Sequence, residues 1–349
     1  MKFKAAILVE QNKELVIDEL KIHSILGFGQ VLVKVKYSGI CGSQLGEITG
    51  VKGPDNYLPH LLGHEGGAVV LEIGPGVTRV KQDDNVVMHW KKANGIESPT
   101  PTYQWGNKNV NAGWVTTFND YAIVAENRLT PISKDISLRH AALMGCAVLT
   151  GFGVVNNDAN IKIGQSVVIF GIGGLGLNII QAASMVSANP IIGIDILDNK
   201  LELAKQLGMT HGFNATNVKN INDEINKIVN ETGADVVIDT TGLPHIIEQA
   251  YALAASQSKV ILVGVPKLGE HISIYSLPLH FNKVLKGSHG GGAVPDVDIP
   301  RYVNLHKANK LKLDSLITHE FSLEEINTAI GMMKSGKIAG RIMINMGHS

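Results

Sequence analysis

The sequence has few cysteines, and it has no hydrophobic run of the length that a membrane span requires. Its two cysteines, Cys41 and Cys146, lie far apart in the chain. The apolar run near the N-terminus, residues 5–9, is too short for a secretory signal. We therefore expect reduced thiols, a cytoplasmic location and no membrane partner.

The sequence also lacks an excess of charge of either sign. Lysine and arginine together number 31, aspartate and glutamate together number 31, and the formal net charge is zero. No basic block is present, which argues against nucleic acid or an anionic membrane surface as the main partner. A length of 349 residues is enough for two domains that each bury a core.

Two different patterns divide the chain. Residues 1–90 contain short strand patterns and turns, such as the alternating run 31–37 and the turn 74–76, and predict a β-barrel-like domain. Residues 91–116 are polar and irregular, and we interpret them as a long surface excursion. From about residue 148, strand and helix patterns alternate, which predicts a doubly wound parallel sheet. The candidate strands of this sheet are 166–170, 190–196, 211–214, 234–240 and 259–265.

The C-terminal segment carries two further local signals. Residues 322–325 have the capping-box pattern and predict the start of a helix. Its apolar face would contain Ile326, Ile330 and Met333. The run 341–345 predicts a final strand.

A glycine motif lies where the first strand of the alternating pattern meets its helix. Gly171, Gly173 and Gly176 form a G-x-G-x-x-G sequence. The first glycine permits a tight turn, the second lets the backbone approach a pyrophosphate, and the third lets helix and strand pack closely. Asp195 ends the next apolar run, 195 − 176 = 19 residues further on, where a carboxylate can bind the ribose hydroxyls of adenosine. Together these features predict a dinucleotide-binding domain.

A second set of reactive residues is dispersed along the chain. Cys41 follows a strand pattern in a predicted turn, His64 precedes another strand, and Cys146 lies near the domain boundary. Two thiolates and an imidazole would give zinc three protein ligands and leave its fourth position open, as in catalytic sites. Spacing alone cannot bring them together, so two buried inert cysteines and a surface histidine remain an alternative at this point.

These segments, the glycine motif and the C-terminal pattern together resemble the zinc-dependent medium-chain dehydrogenase/reductase family of alcohol and polyol dehydrogenases. The resemblance covers essentially the whole chain. It implies an α/β protein with a GroES-like β-barrel catalytic domain, 1–147 and 289–349, and a doubly wound Rossmann NAD-binding domain, 148–288. It further implies an NAD-dependent zinc enzyme that transfers hydride between an alcohol or carbonyl substrate and NAD(H). The family resemblance also implies a homo-oligomer, either a dimer or a tetramer.

The resemblance implies roles for residues around the metal. The implied zinc ligands are Cys41, His64 and Cys146. Glu65 would be the adjacent carboxylate that can approach the metal during ligand exchange. Ser43 would relay the proton of the substrate alcohol, and Trp90 would form an aromatic wall of the substrate pocket.

Further residues are implied in cofactor binding. Thr150 would lie against the nicotinamide, and the backbone of Val263 and Val265 would face its carboxamide. Lys200 would contact the ribose of adenosine, and Arg341 would approach the pyrophosphate. The remaining members of the cofactor set are Gly171, Gly173, Gly174, Gly176 and Asp195.

The sequence departs from the family pattern at three places. The cysteine-rich lobe that holds a structural zinc in many members has no counterpart between Cys41 and Cys146, so we expect one catalytic zinc and no structural zinc. Gln44 replaces a frequent aspartate; its amide can orient the zinc-bound histidine without adding negative charge, which should leave the zinc slightly more electrophilic. Gly46 replaces a histidine that relays protons in some members. His89 is a candidate replacement, although a histidine beside an apolar strand is more often structural.

Two other functions stay open. A zinc-free quinone or enone reductase of the same superfamily would keep the glycine motif but would not need the two cysteines and the histidine. A non-catalytic dinucleotide-binding sensor would keep the Rossmann half while its metal site decayed. The presence of all the ligands disfavours both. The fold does not determine the substrate, although the polar segment 91–116 and Trp90 suggest a polyol or a sugar derivative.

The charge of Asp195 predicts the choice of cofactor. Its carboxylate would accept hydrogen bonds from a free 2′-hydroxyl and repel a 2′-phosphate, and no arginine follows it in residues 196–198. We expect the catalytic efficiency with NAD to exceed that with NADP by about tenfold or more, because one lost charged contact costs roughly 1.4 kcal/mol. Initial-rate kinetics with both cofactors measure this ratio. Equal or higher efficiency with NADP would contradict the role of Asp195.

Overall fold

A computed structural model describes residues 1–22, 25–229 and 233–347. The chain divides into two compact units. The first contains Met1–Cys146 and Val294–Ser349, and the second contains Ala147–Ala293. The predicted domain limits differ from these by at most 294 − 289 = 5 residues.

The described secondary structure is mixed. The strands, in chain order, are β1 Lys2–Leu8, β2 Val16–Lys21, β3 Gln30–Gly39, β4 His60–Leu61, β5 Glu65–Ile73, β6 Asn85–His89, β7 Thr102–Trp105, β8 Lys108–Asn111, β9 Tyr121–Ala125, β10 Leu129–Ile132, β11 Val167–Phe170, β12 Ile191–Asp195, β13 His211–Asn214, β14 Ala234–Asp239, β15 Ala254–Leu262, β16 Val284–Gly287, β17 Ile317–Ser322 and β18 Arg341–Asn345. The α-helices are α1 Gly42–Ile48, α2 Leu138–Met144, α3 Ala147–Gly153, α4 Gly174–Met185, α5 Asp198–Gln206, α6 Ile221–Val229, α7 Pro244–Leu253, α8 Pro295–Lys307 and α9 Ile326–Lys334. Across the described residues, no single helix is long and apolar enough to cross a membrane; a bent pair, Leu138–Met144 with Ala147–Ala159, reaches that length and composition only when taken together.

The first unit is built mainly from β-strands. Strands β1, β2, β7, β8 and β4 form a closed barrel. A seven-stranded sheet has the order β10-β6-β5-β3-β18-β17, with β9 also paired to β3. Strand β18 pairs antiparallel with β3 and parallel with β17, so the C-terminal segment completes a sheet that the N-terminal segment begins. The predicted β-barrel-like character of this half is confirmed.

The alternation predicted for residues 31–37 organises the core of this sheet. In β3, Val31, Val33 and Val35 are fully buried, while the residues between them are partly exposed. Successive side chains of a strand point to opposite faces, so the valines all enter one hydrophobic core. Burying each of them contributes roughly 1.5–3 kcal/mol of hydrophobic free energy.

The second unit has a six-stranded parallel sheet in the order β13-β12-β11-β14-β15-β16. If β11 is counted as the first strand, this is the order 3-2-1-4-5-6 that is typical of the Rossmann fold. The predicted strands correspond to β11 through β15, and the doubly wound parallel sheet is confirmed. Strand β16 was not predicted, because its residues lie at the sheet edge and are largely exposed, without a continuous apolar run.

The prediction that residues 91–116 form a surface excursion is wrong for much of the second half of this segment. Strands β7 and β8 form an antiparallel hairpin within the barrel. Tyr103 and Val110 face each other across this hairpin and are 1% and 0% exposed. The Tyr103 hydroxyl accepts the backbone N–H of Ile123 at 2.9 Å. Because only alternate residues of such short strands point inward, the polar residues concealed the pattern.

The helix α1 was also missed by the sequence analysis. Cys41, expected in a turn, is the N-cap residue of α1, and Gln44 completes a capping box with it. The helix has seven residues and includes Gly42 and Gly46. Glycine is a poor helix former, so the segment carries no strong helical signal.

The C-terminal predictions are confirmed. The backbone N–H and the hydroxyl of Ser322 both hydrogen-bond to Oε2 of Glu325 at 2.9 Å, which forms the capping box. A short 3-10 turn, Leu323–Glu325, leads into α9, whose Ile326 and Ile330 are buried in the core of the first unit. Strand β18 covers residues 341–345 as predicted.

Glu126 connects several loops of the first unit. Its side chain is 1% exposed, and its Oε1 accepts the backbone N–H groups of Thr78 at 2.5 Å and Arg79 at 2.6 Å. Oε2 accepts the N–H of Ile96 at 3.0 Å. Burial opposes ionisation, but these hydrogen bonds outweigh it and hold the pKa of Glu126 below its ordinary value.

We expect Glu126→Gln to lower the free energy of unfolding by about 1–3 kcal/mol at pH 7, because an amide places an NH₂ group against a backbone N–H. The folded-state pKa is the lower one, so the carboxylate stabilises the protein above its unfolded-state pKa of about 4.3 and loses that effect as pH falls through the folded value. Urea denaturation of both proteins should therefore show a difference that shrinks below about pH 4. A difference that grows toward acid pH would contradict this account.

Candidate metal centre and nucleotide site

In the first unit, Cys41, His64 and Cys146 form one cluster. Their ligand atoms all lie within 4.8 Å of one another. Nε2 of His64 is 3.2 Å from Sγ of Cys146. Within residues 1–22, 25–229 and 233–347, this is the group of histidine, cysteine and carboxylate side chains that could hold a metal ion. This proximity disfavours the alternative of two buried inert cysteines and a surface histidine.

The strand register explains how the first two ligands meet. Strands β3 and β5 are antiparallel, and Ser38 pairs with Gly66. The end of β3 therefore lies beside the start of β5, which places Cys41 close to His64.

The position of the third ligand, Cys146, depends on a glycine. A Cβ atom at Gly145 would lie 2.1 Å from the carbonyl oxygen of Met88 and 3.1 Å from Cα of Glu65. Only glycine lets the chain at the end of α2 approach strands β5 and β6 this closely. This approach brings Cys146 to the other two ligands.

The donor set fits zinc. Two sulfur ligands and one imidazole are ligands that zinc prefers, and three protein ligands leave a fourth coordination position. A hydrogen bond with Cys146 lowers the pKa of the Cys41 thiol well below its ordinary value, and His64 and Arg341 act in the same direction against the opposing effect of burial. The thiolate is the form of cysteine that binds metals.

Glu65 and Arg341 form a buried ion pair beside this cluster. They are 0% and 5% exposed. The sequence predicts Arg341 at the pyrophosphate and does not predict this pairing, since no local pattern connects residues so far apart in the chain. Its contact with pyrophosphate and the approach of Glu65 to the metal both stay predictions.

Ser43 and Gln44, on α1, lie next to the imidazole of His64. Oγ of Ser43 is 3.5 Å from Nδ1 of His64, and the side-chain amide of Gln44 contacts the same nitrogen.

His89 has both ring nitrogens occupied, with Nδ1 2.7 Å from the Lys91 carbonyl and Nε2 3.0 Å from the Thr130 hydroxyl. Burial lowers the pKa of His89 to about 4, so the ring is neutral at physiological pH. We conclude that His89 is structural rather than the replacement relay.

Trp90 lies one residue beyond the point where His89 pairs with Glu65, and its role as a pocket wall stays a prediction. Its carbonyl oxygen accepts a hydrogen bond from Nη1 of Arg128 at 2.5 Å. Arg128 is 3% exposed, and its guanidinium lies 4.7 Å from the centre of the Trp114 ring. Arg128 could not be identified from the sequence, because an arginine in an irregular segment carries no signal that it is buried.

In the second unit, the glycine motif connects β11 to α4. Gly171 has a φ of +89°, a backbone conformation that favours glycine, and Gly173 is the N-cap residue of α4. A Cβ atom at Gly176 would lie 2.2 Å from the carbonyl oxygen of Gly171. The tight turn and the close approach of helix and strand are therefore present, whereas contact with a phosphate stays a prediction.

Asp195 ends β12 and lies against the glycine motif. Its Oδ2 accepts the backbone N–H of Ile172 at 2.8 Å, and its Oδ1 accepts that of Ile196 at 2.8 Å. Nζ of Lys200 is 3.5 Å from Oδ1. The role of this pair at the ribose stays a prediction.

The other predicted cofactor residues of this unit lie on different elements. Thr150 is on α3 and is 7% exposed. Val263 follows β15 directly, and its N–H donates to the Asp239 carbonyl at 2.8 Å. Val265 is 60% exposed.

Comparisons with known proteins agree with this geometry. Residues 27–134 match the alcohol dehydrogenase GroES-like domain, and residues 174–307 match the zinc-binding dehydrogenase domain. The chain is 32% identical to alcohol dehydrogenase class-3 of Cereibacter sphaeroides, over 99% of this chain and 100% of that protein. It is 31% identical to S-(hydroxymethyl)glutathione dehydrogenase of Paracoccus denitrificans, over 97% of this chain and 98% of that protein.

A solved structure is also similar to this chain over nearly its full length. Benzyl alcohol dehydrogenase from Acinetobacter calcoaceticus has a TM-score of 0.89 and 28% sequence identity to this chain, and the match covers 99% of this chain and 100% of that one. The expected combination of a GroES-like barrel with a Rossmann sheet is therefore confirmed.

Proposed function

The chain belongs to the zinc-dependent medium-chain dehydrogenase family, and on that premise we propose that it transfers hydride between a small alcohol or carbonyl substrate and NAD(H). The observation that carries the proposal is the cluster of Cys41, His64 and Cys146, whose ligand atoms lie within 4.8 Å of one another. A zinc-free reductase or a nucleotide sensor would have no use for this donor set.

We propose a role for each side chain of the metal centre. The sulfur atoms of Cys41 and Cys146 and the imidazole of His64 would hold zinc, which when bound supplies a Lewis acid for the substrate oxygen. Ser43, whose Oγ lies 3.5 Å from Nδ1 of the candidate ligand His64, would accept the proton that the substrate hydroxyl loses and pass it on. With Gly46 on the same helix, the proton would leave through water or a ribose hydroxyl.

The second unit would bind the nucleotide. The free N–H groups at the start of α4 favour an anionic group such as pyrophosphate. Asp195, with Lys200 beside it, would bind the ribose hydroxyls of adenosine. Thr150, Val263 and Val265 would contact the nicotinamide, whose chemistry belongs to the cofactor itself.

The proposed substrate class is based on the names of the relatives and on the structure of segment 91–116. The relatives are named for S-(hydroxymethyl)glutathione and benzyl alcohol, both of which carry a primary hydroxyl group. The polyol expectation depended on the polar segment 91–116, part of which forms the barrel hairpin. We therefore propose that a primary alcohol is oxidised at least as readily as a polyol.

Further parts of the proposal concern stoichiometry and assembly. We propose one catalytic zinc, held by the Cys41–His64–Cys146 cluster, and no structural zinc, because both cysteines of the sequence belong to that cluster. Strand β16 is an edge strand; Val284 on it is 39% exposed, and Phe281, shortly before it in the chain, is 63% exposed. An apolar edge of this kind supports pairing with a second copy of the chain. We place the protein in the cytoplasm.

The test is an alcohol-oxidation assay with NAD, using primary alcohols, polyols and sugar derivatives, on wild type and Ser43→Ala. We expect wild type to oxidise at least one primary alcohol. We expect Ser43→Ala to slow the hydride-transfer step, measured in single turnovers, by about 10²-fold or more, because the substrate proton loses its acceptor. Zinc content and NAD affinity should change little, since neither depends on that hydroxyl.

The possible failures are distinct. If Ser43→Ala keeps more than about half of the single-turnover rate, the serine is not the relay. Tight nucleotide binding without turnover of any substrate would favour the sensor. Reduction of quinones or enones by a protein free of zinc would favour the reductase.

A further inference from the structure

Gln44 touches two of the metal-ligating residues at once. Its side chain is 1% exposed. Its Oε1 accepts the backbone N–H of Cys41 at 3.1 Å, and its Nε2 contacts Nδ1 of His64. One buried amide therefore connects the main chain of one ligand with the ring of another.

The direction of this amide is fixed by the fold. A backbone N–H is always a donor, so the Gln44 atom that faces Cys41 must be the carbonyl oxygen. The contact is half of the capping box that starts α1, in which Cys41 is the N-cap residue and Gln44 is the third helical residue. The amide NH₂ is consequently the group that remains for His64.

The amide in turn fixes the tautomer of the histidine. An NH₂ group is donor-only, so Nδ1 of His64 must accept, and a neutral ring then carries its proton on Nε2. That Nε2–H points to Sγ of Cys146, 3.2 Å away. Both ring nitrogens of His64 therefore have a partner without a metal.

Metal binding needs the opposite tautomer. Nε2 is the ring nitrogen that lies 3.2 Å from Sγ of Cys146, so to bind a metal it would give up its proton and offer a lone pair, while Nδ1 would carry the proton. Nδ1–H then meets the Gln44 NH₂, and turning the amide only moves the conflict to the N–H of Cys41. Ser43 Oγ, 3.5 Å from Nδ1, is at the outer limit of hydrogen-bonding distance and is a weak alternative acceptor.

We propose that Gln44 is a positioning residue that holds His64 in its metal-free tautomer and so weakens zinc binding at this site. The inference rests on the proposed zinc site formed by Cys41, His64 and Cys146. It reverses the usual effect of a group behind a metal-bound histidine, which accepts the ring N–H and strengthens the metal bond. A glutamate at position 44 would remove the conflict, because its two oxygens can accept from Cys41 and from His64 together.

Two substitutions test whether Gln44 weakens or strengthens zinc binding. Gln44→Met keeps the length of the side chain and removes the NH₂ group without adding charge, and it also removes the oxygen that accepts the backbone N–H of Cys41. Gln44→Glu keeps the capping box, because glutamine and glutamate are both usual there. We expect zinc affinity, measured by competition with a chromophoric chelator, to rise roughly two- to tenfold in Gln44→Met, the value of one hydrogen bond. In Gln44→Glu it should rise about 10- to 100-fold.

The opposite order of zinc affinities among wild type and the two variants would overturn the inference. If Gln44 supports the zinc-bound ring, Gln44→Met should lose about 10- to 100-fold in zinc affinity, and Gln44→Glu should gain nothing over wild type. Circular dichroism and NAD binding check that each variant is folded. If wild type itself binds no zinc with the Cys41, His64 and Cys146 set, the proposed function fails, and that result is distinguishable from wild-type binding with the wrong order of variants.

A spectroscopic measurement needs no variant at all. In zinc-free wild type labelled with ¹⁵N-histidine, the His64 ring should show the Nε2–H tautomer, and zinc should convert it to the Nδ1–H tautomer. A zinc-free ring that is already protonated on Nδ1 would contradict the proposed role of Gln44.

Discussion

The close approach of helix α2 to the sheet of the first unit is the constraint on which the metal centre depends. A Cβ atom at Gly67, on β5, would lie 2.0 Å from the carbonyl oxygen of Leu138, where α2 begins. A Cβ atom at Gly145, just beyond α2, would lie 2.1 Å from the carbonyl oxygen of Met88 on β6. Glycine at both ends thus lets α2 lie directly on the strands. Cys146 follows within two residues of the end of α2, so its position beside His64 is a consequence of backbone packing.

Several residues of the centre serve folding and chemistry at the same time. Cys41 is both a candidate ligand and the N-cap residue of α1. Arg341 lies on the last strand and pairs with Glu65 at the start of β5, so the C-terminal segment supplies the counter-charge for a carboxylate that is 0% exposed. Removing one partner of a buried ion pair costs about 3–5 kcal/mol. The metal centre therefore depends on the C-terminal strand that completes the sheet.

The features that could be predicted from the sequence are those with a local pattern. Turn geometry and a neighbouring strand are encoded within a few residues around Gly171, and the capping box at Ser322 is equally local. The meeting of Cys41 with Cys146 has no such pattern, because it results from strand register and from glycine contacts; only the family resemblance indicated it. The hairpin around Tyr103 was misjudged because its buried residues are few, and α1 was missed because glycine weakens its helical signal.

The most direct test of the account is zinc X-ray absorption spectroscopy, combined with metal analysis, on protein purified without added metal. The account predicts about one zinc per chain, with two sulfur ligands at about 2.3 Å and at least one nitrogen ligand at about 2.0–2.1 Å. These would be the sulfur atoms of Cys41 and Cys146 and the imidazole of His64. Two zinc ions per chain, or a coordination shell of nitrogen and oxygen without sulfur, would contradict it.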